Sequence, residues 1–170
     1  IQLLYLFYVY NAPHRRRVAE SKGKVSPSDK QPGMSVIITA ADQEELLSKH
    51  LPHILEQDYP DFEVIVVDDN STDDTRELLE RLAQQYPNLY STFTSDSIRY
   101  ISHKKLALTL GIKAAKKEWV VFTDANCYPT SPQWLARLAS NCTDEVDVVL
   151  GYSNYEQKKG FGNLCYMYDT

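Results

Sequence analysis

Two adjacent carboxylates, Asp68 and Asp69, interrupt the run FEVIVVDDNSTDDT at residues 62–75. The residues before them, Val64 to Val67, suit a buried strand. Adjacent acids repel, so they are solvated or face a cation, a base edge or a hydroxyl. A second place for chemistry is FTDANCYP at residues 122–129. Asp124 and Asn126 offer two side-chain oxygens in one turn. Mg²⁺ or Mn²⁺ needs only one or two protein oxygens when substrate phosphates supply others. An Asx-turn, in which such side chains bond their own backbone, accounts for the same pair, and both readings stand on spacing alone. His103 beside Lys104 and Lys105 brings positive charge that suits phosphates, against the plainer reading of a solvated helix start. His50 and His53 have metal-capable helical spacing, but no third ligand is near in sequence, so packing is the simpler role. Trp119 and Trp134 read as core.

These groups must be positioned by a scaffold, and the chain's periodicity supplies one. MSVIIT (34–39) is a short strand pattern rich in β-branched residues. Leu47, Leu51, Ile54 and Leu55 fall at helical spacing, with Pro52 expected to bend that helix or shift its start. FEVIVVD is the second strand, and Ser71 to Asp74 looks like a capping-box variant opening a helix to about Tyr86. Leu78, Leu79 and Leu82 mark the inner face of that helix, and Pro87 stops it. LYSTFT (89–94) is a third strand. A helix over about 104–116 carries Leu106, Leu110 and Ala114 in register. WVVFTD (119–124) is a fourth strand, a short helix follows Pro132, and VDVVLGY (146–152) is read as a fifth strand.

Strands alternating with helices, the strands almost continuously apolar, imply an α/β fold. It is Rossmann-like, a mostly parallel sheet with helices on both faces. Right-handed crossovers then bring the carboxyl ends of the strands to one edge, where ligands bind in such folds. Thr39, Asp68, Asp69 and Asp124 all belong to that edge. No GxGxxG and no GxxxxGK[ST] occurs, which removes the main support for dinucleotide and P-loop readings.

The 170 residues suffice for one domain, with 43% hydrophobic and 24% charged content, both globular values. The net charge of −5 argues against nucleic acid as a partner. Cys127, Cys142 and Cys165 form no metal spacing, and their odd number suggests free thiols in a reducing compartment. Residues 1–17 begin IQLLYLFYVY and run into Arg15, Arg16 and Arg17. Ten mostly apolar residues are too few to span a bilayer, which needs about 20. We read them as part of a transmembrane or juxtamembrane segment, with tyrosines at the interface and a basic cytoplasmic flank. The alternative is a buried or amphipathic segment of a soluble protein. Residues 18–33 have linker composition. The first residue is Ile1 and the last is Thr170, and the chain is read as a piece of a longer protein.

The order VIITA, LEQDYPDFEVIVVDDNSTDDT, then WVVFTDAN resembles the amino-terminal part of the catalytic domain of a family 2 glycosyltransferase, of the membrane-associated bacterial type. The resemblance covers residues 34 to about 152, and the central segment is its most specific piece. It implies a GT-A fold, incomplete at the C-terminus, with residues 34–170 as a truncated nucleotide-sugar-binding part. It implies a sugar moved from a nucleotide-diphosphate donor, a UDP-sugar in most readings, to a glycan or lipid-linked acceptor, with inversion. By the same resemblance Thr39 and Ala41 border the base and ribose, Asp69 bonds the base, and Asp68 helps to hold the loop. Lys104 or Lys105 faces the donor. Asp124 is the first acid of the family's D-x-D motif, and Asn126 takes the place of its metal-binding second acid. The implied cofactor is Mg²⁺ or Mn²⁺, and the implied location is the cell membrane with the catalytic domain facing the cytoplasm.

Two departures stand out. Asn126 replaces an acid, so the metal loses one charged ligand. In TAADQEE, Asp42 stands where the family has Asn, and Ala41 stands where it often has a base-stacking aromatic. No residue after Asp124 matches the family's general base, so no catalytic residue is assigned. Two other readings remain: a nucleotide-sugar-binding remnant without turnover, and a phosphoacceptor receiver-like signalling domain. The receiver reading is disfavoured because a strand–helix unit precedes the acid pair.

Overall fold

The computed structural model describes residues 31–94, 102–151 and 153. The expectations for residues 1–17 and most of the 18–33 linker lie outside these. Eight elements alternate along the chain. They are β1 Met34–Ala40, α1 Glu44–Leu55, β2 Phe62–Asp68, α2 Thr75–Gln85, β3 Leu89–Phe93, α3 His103–Ala114, β4 Trp119–Asp124 and α4 Trp134–Ala139. The strands form one sheet in the order β3-β2-β1-β4, and every pairing is parallel.

The two faces of the sheet divide the side chains by alternation. Val36, Ile38, Val64 and Val66 face a core completed by Leu47, Leu51 and Ile54 of α1, Leu78 and Leu79 of α2, and Leu135 of α4. Ile37, Ile65 and Val67 face the other way and meet Ala107 of α3. Each large apolar side chain fully buried here contributes about 1.5–3 kcal/mol. The predicted inner faces of α1 and α2 are the observed ones. The centre of α3 differs, since its buried residues are Ala107 and Gly111. The reason is close approach: a Cβ on Gly111 would lie 2.5 Å from Ile37 Cγ2. Small residues let this helix lie down on the sheet, and Leu110 and Ala114 pack beside them.

Two further expectations are corrected, and Pro52 is placed inside its helix. Pro52 neither starts nor ends α1, which continues to Leu55. Its missing N–H falls in the last turns, where the Pro52 carbonyl still accepts the Glu56 N–H at 2.9 Å. The capping box at Ser71–Asp74 does not form, and the Asp74 cap makes no side-chain bond to the helix. Ser71 is used instead to bind another loop, described below. No strand forms over residues 146–151. Val149 packs one side chain onto the core, but Val148 and Leu150 are exposed, so the apolar pattern reflects partial packing without backbone pairing.

Candidate functional site

Strand register brings the site together. Thr39 lies beside Val67 on one side and Asp124 on the other, and Ala40 lies beside Asp68. Phe93 is level with Asp68 on the far strand. The acids foreseen at the sheet edge are therefore neighbours in space, separated by the end of β1.

The acid pair is split between two sets of partners. Asp68 is 2% exposed. Its Oδ1 accepts the Ser71 N–H at 2.9 Å. Its Oδ2 lies 3.7 Å from Arg76 Nη2 of α2, and that guanidinium also covers the Phe93 ring at 5.0 Å. Asp69 turns to the α3 side. Its Oδ1 accepts the Thr94 hydroxyl at 2.8 Å and lies 3.5 Å from His103 Nδ1. Separate partners are how two adjacent carboxylates coexist at the mouth of a buried strand. The backbone locks the arrangement: Asp69 N–H donates to the Ala40 carbonyl at 2.7 Å, and Thr94 N–H to the Asp68 carbonyl at 2.9 Å.

The loop after β2 is braced against the loop after β1. Asp42 Oδ1 accepts the Thr72 N–H at 2.6 Å, the Thr72 hydroxyl at 3.1 Å and the Asp73 N–H at 3.3 Å. In return Asp42 N–H donates to Ser71 Oγ at 2.9 Å, and Glu44 N–H to Asp73 Oδ2 at 3.1 Å. Desolvation pushes the Asp73 carboxyl up, but hydrogen bonds from Thr75 and Glu44 together outweigh it and hold the group below its ordinary value. Asp42 and Asn70 have φ of 51° and 60°, the left-handed region that Asp and Asn tolerate better than other side chains. Two such residues in facing loops let both loops turn sharply at the strand ends. Asp42, read from sequence only as a departure from the family, is the hub of this brace.

Across the edge, β4 ends in an open turn. Cys127 N–H donates to the Asp124 carbonyl at 3.0 Å. The Asp124 side chain is 59% exposed, and its Oδ1 lies 3.5 Å from Lys104 Nζ. Lys104 is therefore the α3 lysine that faces a site acid. Lys105 is exposed, and its backbone carbonyl accepts the Thr109 hydroxyl at 2.8 Å. The start of α3 thus sets His103 opposite Asp69 and Lys104 opposite Asp124. Thr39 is half-buried between the acids, and Ala41 is exposed just beyond the Ala40 carbonyl that anchors Asp69.

Asn126 is exposed, and its Oδ1 accepts the Cys127 thiol at 3.3 Å. Among the described residues no group of three or more His, Cys, Asp or Glu could hold a metal ion. The donor set here is one exposed carboxylate and one amide. That fits Mg²⁺ or Mn²⁺ held jointly with phosphate oxygens and water, and does not fit a closed protein cage. His50 and His53 do not form a metal pair. His50 stacks on Tyr128 with centroids 4.8 Å apart, and His53 tilts against the same ring at 5.6 Å.

Sequence reasoning missed several residues. Thr94 closes β3 at the same edge, so the topological rule that selected the other strand ends points to it too. Arg76 gave no sequence signal, because its role depends on helix α2 lying over Asp68. Gln57, inside the recognised LEQDYP segment, is buried. Its amide donates to the His53 and Ser131 carbonyls at 2.8 and 3.1 Å and accepts the Leu135 N–H at 3.2 Å. It ties the segment after β4 to the end of α1.

Known proteins share this architecture and sequence. Residues 35–163 match the family described as glycosyl transferase family 2. Glycosyltransferase AglE of Haloferax volcanii is 30% identical over 142 residues, which are 82% of this chain and 45% of that protein. The mannosyltransferase PcManGT of Pyrobaculum calidifontis, solved with GDP-Man and Mn²⁺, superposes with a TM-score of 0.59 at 28% identity, covering 82% of this chain and 41% of that one. S. aureus TarS 1–349 in complex with UDP-GlcNAc superposes with a TM-score of 0.52 at 31% identity, covering 64% of this chain and 30% of that one. The chain spans less than half the length of these proteins. With the family matched over residues 35–163, the chain belongs to the family 2 glycosyltransferases.

Proposed function

We propose that this chain is the donor-binding half of a transferase that takes a nucleotide-diphosphate sugar, with UDP as the nucleotide. The observation that carries the reading is the pairing of two differently built acids across the end of β1. Asp69 is 15% exposed and held by Thr94 and His103. That leaves a fixed acceptor for a base N–H, of the kind uracil presents. Asp124 is exposed and faces Lys104, which suits the ribose and the diphosphate. When bound, Mg²⁺ or Mn²⁺ at Asp124 and Asn126 would neutralise charge on the leaving diphosphate.

The proposed reaction is displacement at the anomeric carbon. An acceptor hydroxyl attacks, the bond from the anomeric carbon to the diphosphate oxygen breaks, and the configuration inverts. Within this scheme His103 and Lys104, with the N-terminus of α3, face the charge that develops on the diphosphate. The general base that takes the acceptor proton is expected downstream of Asp124. The acceptor is proposed to be a glycan or lipid-linked hydroxyl at the cytoplasmic face of a membrane. The apolar run of residues 1–10 and the arginines at 15–17 support that location.

A second reading keeps the donor site without turnover. It is favoured by Asn126, which brings an oxygen but no charge where an acid would bind a metal most firmly. Calorimetric titration of the full-length protein with UDP, GDP and CDP, with and without Mn²⁺, tests the shared core of both readings. Preferential UDP binding strengthened by Mn²⁺ is expected, and equal binding of all three would refute recognition of the base by Asp69. Release of UDP from UDP-sugars with an acceptor extract separates transfer from binding alone.

A further inference from the structure

We propose that His50 of α1 is a positioning residue for the Asp124–Cys127 turn, acting through the carbonyl of Ala125. The proposal rests on the donor-site reading, since it concerns what that turn does for a bound nucleotide and metal. His50 Nδ1 lies 3.0 Å from the Ala125 oxygen, a contact spanning 75 positions in the chain. A carbonyl only accepts, so the ring nitrogen facing it carries the proton. Ala125 stands between Asp124 and Asn126, and its own side chain is 2% exposed in the core. The orientation of its peptide oxygen therefore sets the direction in which the Asn126 side chain leaves the turn.

The exposed side of the turn has little else to hold it. Asp124 contacts a lysine that is itself 66% exposed, and such pairs are worth little in water. Asn126 is tied only to its neighbour Cys127 among the contacts described. Behind the turn, α1 and the residues just after it grip the same segment at three levels. His50 bonds Ala125, the His50 ring stacks on Tyr128, and Gln57 bonds Ser131 and Leu135. The first of these acts between the two candidate metal ligands. It fixes the spacing of the Asp124 and Asn126 oxygens before a ligand arrives.

The test separates the hydrogen bond from the ring contact. His50→Phe keeps a ring against Tyr128 and loses the donor. His50→Asn restores a donor near the Nδ1 position without the ring. Tyr128→Leu removes the stack and leaves the bond. In the full-length protein, the gain in UDP affinity on adding Mn²⁺ is measured by calorimetry, and the exchange rate of the Cys127 amide by NMR. His50→Phe is expected to cut the Mn²⁺ gain about threefold to tenfold, the worth of one hydrogen bond, with UDP affinity in EDTA unchanged. Cys127 exchange is expected to quicken in parallel. His50→Asn and Tyr128→Leu are expected to retain most of the gain. An unaltered gain and exchange rate in His50→Phe overturn the proposal. So does loss of the gain in Tyr128→Leu, which would assign the effect to the stack, or a failure of His50→Asn to restore it. If the wild-type protein binds no nucleoside diphosphate, the donor-site reading fails, and Cys127 exchange alone decides whether His50 holds the turn.

Discussion

The loop after β2 and the turn after β4 end neighbouring parts of one sheet edge, yet they are built on opposite plans. The β2 loop is filled in beforehand. Asp68 is buried and Asp69 only 15% exposed, and their partners are Ser71, Arg76, Thr94 and His103. Asp42 stitches the loop to its neighbour through three donors. The β4 turn is braced from behind and left open in front, with Asp124 and Asn126 exposed. Under the proposed donor-site reading, the contrast suits the two regions to different tasks. A rigid, desolvated acceptor discriminates between bases because a wrong partner leaves it unpaired. An open oxygen pair accommodates water, phosphate and a cation, and gains its order from them.

Breaking the rigid side should cost the most. Asp68→Ala removes the acceptor for Ser71 N–H and the partner of Arg76. It should lower stability by about 2–4 kcal/mol in denaturant titrations. A loss below the error of the extrapolation would show that the loop holds itself without Asp68. Gly111→Ala attacks the relation between the two regions, since α3 carries His103 to one and Lys104 to the other. The added methyl must displace either Ile37 or the helix. A cost of about 1–3 kcal/mol in stability is expected, together with weaker UDP binding. A variant as stable as the wild type, with unchanged affinity, would mean that α3 is not set by this contact.

The open side should respond in the other direction. Asn126→Asp adds a charge where a cation is proposed to sit. Mn²⁺ should then strengthen UDP binding further, by about 1–2 kcal/mol or roughly fivefold to thirtyfold. No gain would remove Asn126 from the cation's surroundings. The last effect, confined to alkaline pH, belongs to a site remote from both regions. Tyr59 is buried at the other end of the sheet, with its hydroxyl donating to the Pro32 carbonyl at 2.6 Å. Burial first, and the charges of Cys142 and Asp61 next, push this phenol up to about 12. The unfolded chain releases that proton near pH 10, and the folded one holds it longer, so folding loses stability as pH rises from about 10 towards about 12. Tyr59→Phe should flatten that decline without changing UDP affinity. An unaltered alkaline decline would place its cause elsewhere.

Much of this was legible in the sequence, and the limit has a physical form. Strands and helices announced themselves through periodicity, because Val36, Ile38, Val64, Val66 and the leucines of α1 and α2 answer to one core. Parallel topology then placed Asp68, Asp69, Thr39 and Asp124 at one edge without coordinates. What stayed hidden depends on contacts between distant segments. Arg76 reaches Asp68 only because of how α2 crosses the sheet, and His50 meets Ala125 only because the β4 turn folds back on α1. Residues 146–151 show the opposite error, a largely apolar run that packs Val149 on the core and forms no strand pairing among the described residues. Ser71 shows a third case. Its spacing suits a helix cap, but Asp42 competes for it and wins.

The division of labour between the two regions is tested most directly by measuring UDP affinity against Mn²⁺ concentration for wild type, Asp69→Ala and Asp124→Ala in the full-length protein. The account predicts that Asp69→Ala weakens binding about tenfold to hundredfold at every metal concentration, the worth of a hydrogen bond to a charged group. Asp124→Ala should lose a modest part of the affinity in EDTA, through the missing ribose contact, and fail to gain affinity as Mn²⁺ is added. Equal metal dependence in Asp124→Ala and wild type, or undiminished binding in Asp69→Ala, would contradict it.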